Sequence, residues 1–295
     1  MDKSINYFEI EGFDKQPVRL NLEFSQIESE APIVIIAHGF KAYKDWSFIP
    51  LIARELTFHG FHVLRFSNSH CGVVDESGEF QEREKFANNC LTAELHDFKQ
   101  VLLSCSEGRI KEFTEANGRK ISRIHLLGHS RGSANALIVA AEEINAIAID
   151  SIVCLSPISH YFHYSKKQFA EWLEYGFIEI FELNTSTTLS MNRVYRDDLF
   201  ENAQRFKLQH AVEKLAEKDL PILFIRGNDD KYILQDEAEE LKSWSHGKYL
   251  LEIVTGSKND LADHNFGMPV KANDFNAPMN WAFKILLSFI KTHAV

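Results

Sequence analysis

The sequence predicts an α/β protein in which a mostly parallel sheet is covered by helices on both faces. One observation is the short continuous apolar run at residues 33–37, which is typical of a strand buried on both faces. A second is the amphipathic stretch that follows it, with apolar residues near helical spacing. The third is the regular alternation of such runs along the chain, which favours a parallel sheet. A chain of 295 residues can form one domain with a large core of this kind.

The elements are predicted in order from the N-terminus. Two extended runs, residues 5–10 and 18–24, flank a segment rich in turn formers and predict an antiparallel hairpin. The further strands are expected at residues 33–37, 61–66, 122–127, 148–155, 222–225 and 249–254. The helices are expected at residues 45–59, 83–104, 133–143, 236–244 and 280–291.

Residues 157–218 interrupt this alternation. The segment is too long for an ordinary connection and too aromatic for a disordered linker. We therefore expect a helical cap at 157–218, inserted into a core made of residues 1–156 and 219–295. Its first half contains eight aromatic residues that should attach the cap to the core, while some of them line a pocket: Tyr161, Phe162, Tyr164, Phe169, Trp172, Tyr175, Phe177 and Phe181.

Composition and charge narrow the possible partners and the location. The formal net charge of −10 would repel phosphate backbones and anionic lipid, which disfavours nucleic acid and membrane surfaces as partners. The four cysteines lack the close spacing of metal sites and are expected to be free, mostly buried thiols. No signal-peptide pattern opens the sequence and no apolar run is long enough to span a bilayer, so a cytoplasmic location is expected.

A Gly-x-Ser-x-Gly pattern at Gly128, Ser130 and Gly132 is the main candidate for chemistry. An apolar strand runs into it and a helix of small residues leaves it, which is the strand–turn–helix setting of a nucleophile elbow. Such a tight turn needs small neighbours, and it holds the serine hydroxyl at a helix N-terminus, where negative charge is favoured. The alternative is a simple Gly-Ser turn that opens a helix.

A serine needs a base to remove its proton, and the sequence contains 13 histidines. His264 is the best placed, because it follows the last predicted strand and precedes the last helix. His129 is next to Ser130, but its side chain on a sharp turn should point elsewhere. Six other histidines precede the candidate acid or lie outside a strand-end loop, and most of them should be core or surface residues: His38, His59, His62, His70, His160 and His163.

A carboxylate should orient the imidazole of this base and stabilise its charged form. Two candidates, Asp229 and Asp230, end the strand predicted at 222–225, and Asp230 is favoured. The resulting chain order is Ser130, Asp230, His264, which is the order of one major fold of serine hydrolases and differs from both major serine-protease orders.

Acyl transfer also needs N–H donors for the oxyanion of the tetrahedral intermediate. The backbone N–H of Arg131, directly after the candidate nucleophile, is one expected donor. The backbone N–H of Phe40 is the other, because Gly39 lets the loop after the strand at 33–37 turn close to the substrate. The alternative is an ordinary glycine turn between a strand and a helix.

These motifs together resemble the α/β-hydrolase family from about residue 5 to residue 293. The segments 37–40, 128–132 and 262–266 are similar to those of the branch that contains cinnamoyl and feruloyl esterases, dienelactone hydrolases and acyl peptidases. The resemblance implies an eight-stranded, mostly parallel sheet with the cap after its sixth strand. It also implies an acid three residues after Gly227, which selects Asp230.

The sequence departs from this branch at three places. Ser133 stands where a further glycine is common, and residues 231–234 lack the proline often found after the acid. Dienelactone hydrolases use a cysteine nucleophile, whereas this chain has Ser130. The resemblance to that group therefore implies a shared fold and a different reaction.

The predicted activity is hydrolysis of carboxylic esters with small to medium acyl or aryl groups, through an acyl-enzyme. No metal or organic cofactor is expected, because the His-Glu-x-x-His, Gly-x-Gly-x-x-Gly and phosphate-loop motifs are missing. The same residues would also serve an aminopeptidase, a thioesterase or an acyltransferase. A non-catalytic binding protein on this fold is the remaining alternative, while an aspartate-nucleophile dehalogenase is disfavoured by the serine.

Overall fold

The computed structural model describes residues 5–294 of the chain and contains ten strands. Eight of them form one sheet in the order β1-β2-β4-β3-β5-β6-β9-β10, in which only β2 runs against the others. The predicted eight-stranded, mostly parallel sheet is therefore confirmed. The strands are β1 (Ile5–Glu11), β2 (Pro17–Glu23), β3 (Glu30–Ala37), β4 (His62–Ser67), β5 (Lys120–His129), β6 (Ser151–Leu155), β7 (Phe177–Glu182), β8 (Thr187–Asn192), β9 (Ile222–Gly227) and β10 (Leu250–Val254).

Helices cover both faces of the sheet. Alternate residues of β3 point to opposite sides, so Ile33 and Ile35 enter one buried cluster and Val34 and Ile36 enter the other. Helices α3, α5 and α8 contribute to the first cluster, and α1 and α10 to the second. The helices are α1 (Ile49–Phe58), α2 (Arg83–Ala87), α3 (Leu91–Ser106), α4 (Arg109–Ala116), α5 (Arg131–Glu143), α6 (Lys166–Tyr175), α7 (Arg193–Glu201), α8 (Leu208–Glu217), α9 (Gln235–Ser243) and α10 (Ala277–Thr292).

Two predicted helices differ from the structure. The helix expected at 83–104 is divided into α2 and α3, because Asn89 turns its side chain to Glu94 (2.7 Å) and leaves the helical path. The helix expected from residue 45 starts at Ile49, since Pro50 is accommodated only in a first turn. Helix α4 was not predicted.

The segment at 157–218 follows β6, as expected, but it is not entirely helical. It contains α6, an antiparallel hairpin of β7 and β8, and then α7 and α8. Buried and exposed side chains alternate along the hairpin, and Ile178 and Leu189 are among the buried ones. This two-residue repeat is typical of a strand and not of a helix. Trp172 of α6 donates its indole N–H to the carbonyl of Met191 in β8 at 2.8 Å, which joins helix and hairpin.

The four cysteines are free and buried. Within residues 5–294, no helix is both long and apolar enough to cross a bilayer.

Candidate active site

Ser130 occupies the turn between β5 and α5. Its backbone has φ 53° and ψ −123°, a conformation that costs energy for a residue with a side chain. The turn is held by three hydrogen bonds: the N–H of Ser130 donates to Leu155 at 2.8 Å, and its carbonyl accepts from the N–H (3.0 Å) and the hydroxyl (2.6 Å) of Ser133. Ser133, which replaces a common glycine, thus reinforces the strained turn.

The two glycines of the motif are required by close approach of the backbone. A β-carbon at Gly128 would lie 2.4 Å from Cα of Ser133, and one at Gly132 would lie 2.4 Å from the carbonyl oxygen of Ala37. Neither contact is tolerated by real side chains, and both involve backbone that cannot turn aside. The strand, the turn and the helix can therefore pack together only with glycine at both positions.

His264 and Asp230 are brought together by the loops after β10 and β9. The Nδ1 atom of His264 lies 2.8 Å from Oδ2 of Asp230, whose side chain is fully buried. The other carboxylate oxygen accepts the N–H groups of Tyr232 and Ile233 at 2.9 and 3.0 Å. Burial by itself would raise the pKa of Asp230, but the hydrogen bond from His264 and the two N–H groups hold it below its usual value.

Asp229 turns to a different partner. Its Oδ2 accepts the N–H of Ala262 at 3.1 Å, and its own N–H donates to the carbonyl of Ala262 at 2.9 Å. These bonds attach the end of β9 to the loop that carries His264. The structure thus places Asp230 against the imidazole and gives Asp229 a role in loop geometry.

His129 forms a hydrogen bond with the loop that carries His264. Its Nε2 donates to the carbonyl of His264 at 3.0 Å, and the hydroxyl of Ser156 donates to the same carbonyl at 2.9 Å. Burial lowers the pKa of His129 to about 3, so this imidazole is neutral near neutral pH. Its ring stacks on that of Trp46, with the centroids 5.7 Å apart, and both residues lie in the wall of the cavity beside Ser130.

The loop after β3 approaches Ser130 closely. A β-carbon at Gly39 would lie 3.0 Å from Cβ of Ser130, which leaves little room for any other residue. Buried His38 holds this loop, because its Nδ1 donates to the carbonyl of Gly39 at 2.8 Å while its Nε2 accepts the N–H of Asn68 at 3.2 Å. Burial lowers the pKa of His38, which favours this neutral form.

Two backbone N–H groups near Ser130 have no internal partner. In the described part of the chain, the N–H of Phe40 donates no hydrogen bond. Arg131 is the first residue of α5, and an N–H in that position has no acceptor within its helix. Both can therefore donate to a bound molecule.

The side chain of Arg131 was missed by the sequence analysis, which used only its backbone N–H. The guanidinium is buried; its Nη1 pairs with Glu94 at 3.3 Å and its Nη2 donates to the hydroxyl of Tyr164 at 3.1 Å. Its Cζ lies 4.0 Å from the ring centroid of Phe40 and 5.0 Å from that of Tyr195. Arg131 thus joins the turn, the loop after β3 and residues 157–218, which we call the insert. The sequence offered one signal for this role: an arginine inside the Gly-x-Ser-x-Gly motif of a chain that also contains a strongly aromatic insert.

A cavity of about 440 Å³ contains Ser130, His264, Phe40 and Arg131 in its walls. Of the eight aromatic residues noted in the insert, Tyr164 alone lines the cavity. Tyr161 and Trp172 are buried in the core and Phe169 is partly buried, whereas the other four are exposed: Phe162, Tyr175, Phe177 and Phe181. The tip of the β7–β8 hairpin also contributes, and it is attached to the loop after β3 by an ion pair of 2.7 Å between Lys41 and Glu182. The remaining lining residues are Gly39, Ala42, Trp46, His129, Ile158, His163, Leu183, Asn184, Tyr232, Ile233 and Asn265.

No protein-family model matches the sequence, and no curated protein matches it either. Solved structures do match along nearly the whole chain. Est1E from Butyrivibrio proteoclasticus with ferulic acid bound is 16% identical, with a TM-score of 0.67 over 97% of this chain and 98% of that one. The α/β hydrolase GrgF from a Penicillium species is 13% identical, with a TM-score of 0.70 over 98% and 99%.

An acylaminoacyl peptidase from Pyrococcus horikoshii is also similar, at 13% identity and a TM-score of 0.65. The match covers 98% of this chain but 42% of the peptidase, so this chain corresponds to less than half of that protein. At identities this low, the similarity shows a shared fold and not a shared activity. The chain has the α/β-hydrolase fold, as the resemblance of its motifs implied.

Proposed function

We propose that this protein is a serine hydrolase that cleaves carboxylic esters through an acyl-enzyme, with Ser130 as nucleophile, His264 as base and Asp230 as the acid of the triad. The observation that carries the proposal is the position of a strained serine and a carboxylate-bound histidine in the wall of one cavity. A binding protein would have no need of a strained serine at this position, because the strain costs stability.

The arrangement assigns each group a step. Asp230 fixes the proton on Nδ1 of His264, which leaves Nε2 free to accept the proton of Ser130 as its oxygen attacks the ester carbonyl. The N–H groups of Phe40 and Arg131 stabilise the oxyanion that forms. His264 then gives the proton to the leaving alcohol, and a water molecule, activated by the same imidazole, releases the acid. None of these steps requires a metal ion or an organic cofactor.

The substrate is proposed to be an ester with a small to medium acyl or aryl group. A volume of about 440 Å³ is in the usual range for small-molecule pockets. Trp46, Tyr164 and Tyr232 provide aromatic surface, and the ferulic acid bound to structurally similar Est1E is an aryl acid. Residues 157–218 act as the cap, since their hairpin and Tyr164 close one side of the cavity.

A panel of p-nitrophenyl esters of increasing acyl length, aryl esters, aminoacyl anilides and acyl-thioesters tests this function. We expect the highest kcat/KM for esters and its loss in Ser130→Ala. Anilide turnover far above ester turnover would instead support an aminopeptidase, for which the acylaminoacyl peptidase neighbour is the structural parallel. Turnover of no member by the folded protein would contradict the proposal and favour a binding role.

A further inference from the structure

A cluster of two imidazoles and a carboxylate lies where the insert leaves the core. His160 and His163 belong to the first residues of the insert, and Glu237 belongs to α9 of the core. One ligand atom from each of the three lies within 4.8 Å of the other two. The Nε2 atom of His163 is 3.0 Å from Oε1 of Glu237, and the two imidazole rings have centroids 4.3 Å apart.

The carboxylate of this cluster is fixed in place. Glu237 is buried, and its Oε2 accepts the N–H of Ser159 at 2.9 Å and the hydroxyl of Ser159 at 3.4 Å. A carboxylate oriented in this way by neighbouring donors is typical of a metal ligand with an outer shell. The two imidazoles are exposed and can turn, so they can close the 4.8 Å spread to the shorter separations that metal bonds of about 2.1 Å require.

From these contacts we propose that His160, His163 and Glu237 form a binding site for a divalent transition-metal ion, with Zn²⁺ as the best fit. Two imidazole nitrogens and one carboxylate oxygen match the ligands that Zn²⁺ takes when it keeps an open position for water. The hydrogen bond that Phe162 donates to Nδ1 of His160 (3.1 Å) is exposed, so water can replace either partner when the ring turns.

The ion would join the start of the insert to the core. His160 and His163 precede α6, whereas Glu237 lies on a helix that packs against β9 and β10, so the bonds cross from one part to the other. His163 also lines the cavity that contains Ser130. Metal binding would therefore hold the base of the cap in one position at the edge of the catalytic cavity.

The test uses the full chain stripped of metal by a chelator and titrated with Co²⁺, followed by displacement with Zn²⁺. We expect one Co²⁺ per chain with visible absorption of a four- or five-coordinate site, and slower hydrogen exchange at residues 157–165 when Zn²⁺ is bound. His160→Ala, His163→Ala and Glu237→Gln should each weaken binding by about 100-fold or more, since even outer-shell changes cost 10- to 100-fold.

The control is His210→Ala, which removes an exposed histidine of α8 and should leave the affinity unchanged. Equal Co²⁺ affinity in the control and in His160→Ala would overturn the site, and so would the absence of one-to-one binding. Because His160 is exposed, the His160→Ala variant stays folded even if Glu237→Gln does not. Unchanged hydrogen exchange with Zn²⁺ bound would overturn the link between cap and core. None of these measurements uses hydrolysis, and Ser130→Ala should bind Co²⁺ as the wild type does.

Discussion

The guanidinium carbon of Arg131 lies 4.0 Å from the ring centroid of Phe40. These two residues carry the N–H groups that we assign to the oxyanion, and they belong to separate elements, α5 and the loop after β3. The stacking therefore links the two segments that carry these donors. Glu94 supports it from α3, since its Oε1 pairs with the guanidinium and its Oε2 accepts the side-chain N–H of Asn135 at 2.8 Å.

Arg131→Lys should lower kcat by about 10- to 100-fold with a smaller effect on KM, because a small misplacement of a donor acts mainly on the transition state. Lysine keeps the charge but loses the planar group that stacks on Phe40 and reaches Tyr164. Steady-state kinetics on the best ester measures the effect. Arg83→Lys, at an exposed position of α2, is the control. Equal kcat in the two variants would show that the stacking does not position the donors.

Asp230→Asn and Asp229→Asn form a matched pair. The first should reduce kcat by about 10⁴-fold, because an amide cannot hold the imidazole in the required tautomer or stabilise its charge. The second should retain most activity and lose about 1 kcal/mol of unfolding free energy, since it weakens the bond from the N–H of Ala262. Kinetics and denaturant unfolding separate the two effects. A greater loss of activity in Asp229→Asn than in Asp230→Asn would show that Asp229 is the acid and contradict the assignment of Asp230.

The ion pair of Lys41 and Glu182 attaches the hairpin tip to the loop after β3. The Glu182 side chain is 4% exposed, so Lys41→Met leaves a nearly buried carboxylate with its hydrogen bonds from Asn184 but without the cation that balances its charge. We expect the hairpin to lose its fixed position and KM to rise by about 5- to 10-fold, the equivalent of about 1 kcal/mol of binding. Lys167→Met removes an exposed lysine from the pair with Glu171 and should leave KM unchanged. A rise of KM in both variants would contradict this role.

The buried His125 makes stability depend on pH. Burial lowers its pKa from 6.5 to about 4, so between these values the unfolded chain binds a proton that the folded chain does not. Its contribution to stability is therefore complete above pH 6.5 and is lost as the pH falls to about 4, a change of about 3 kcal/mol.

Urea unfolding of the wild type and His125→Gln from pH 4 to pH 7 measures this effect. The variant should show a pH slope lower by up to about 1.4 kcal/mol per pH unit, the value for one proton. His210→Gln removes an exposed imidazole and serves as the control. An identical slope in the wild type and His125→Gln would mean that His125 does not take up a proton on unfolding.

The central strands could be predicted because they are buried on both faces and leave continuous apolar runs, as at residues 33–37. The break after Ala87 could not, because it depends on the side chain of Asn89 finding Glu94. The hairpin in the insert was also missed, since its strands are short and lie beside a helical aromatic stretch.

The candidate nucleophile, base and N–H donors could be predicted from local motifs. Each lies in a segment directly after a strand, and the end of the strand determines where that segment lies. The choice of Asp230 over Asp229 depends on which of two neighbouring side chains faces the histidine, and the residues alone only favoured one. The roles of Glu94 and Tyr164 around Arg131 need contacts between distant segments of the chain. No local pattern contains them.

Reaction with a fluorophosphonate tests the central claim most directly, because it reports an activated serine without requiring the right substrate. The measurement is the labelled fraction and the labelled peptide, by mass spectrometry, in the wild type, Ser130→Ala and Ser133→Ala. We predict one label per chain on the peptide of Ser130, no label in Ser130→Ala and continued labelling in Ser133→Ala. A folded wild type that takes no label, or a label that persists in Ser130→Ala, would contradict the assignment of Ser130 as the nucleophile.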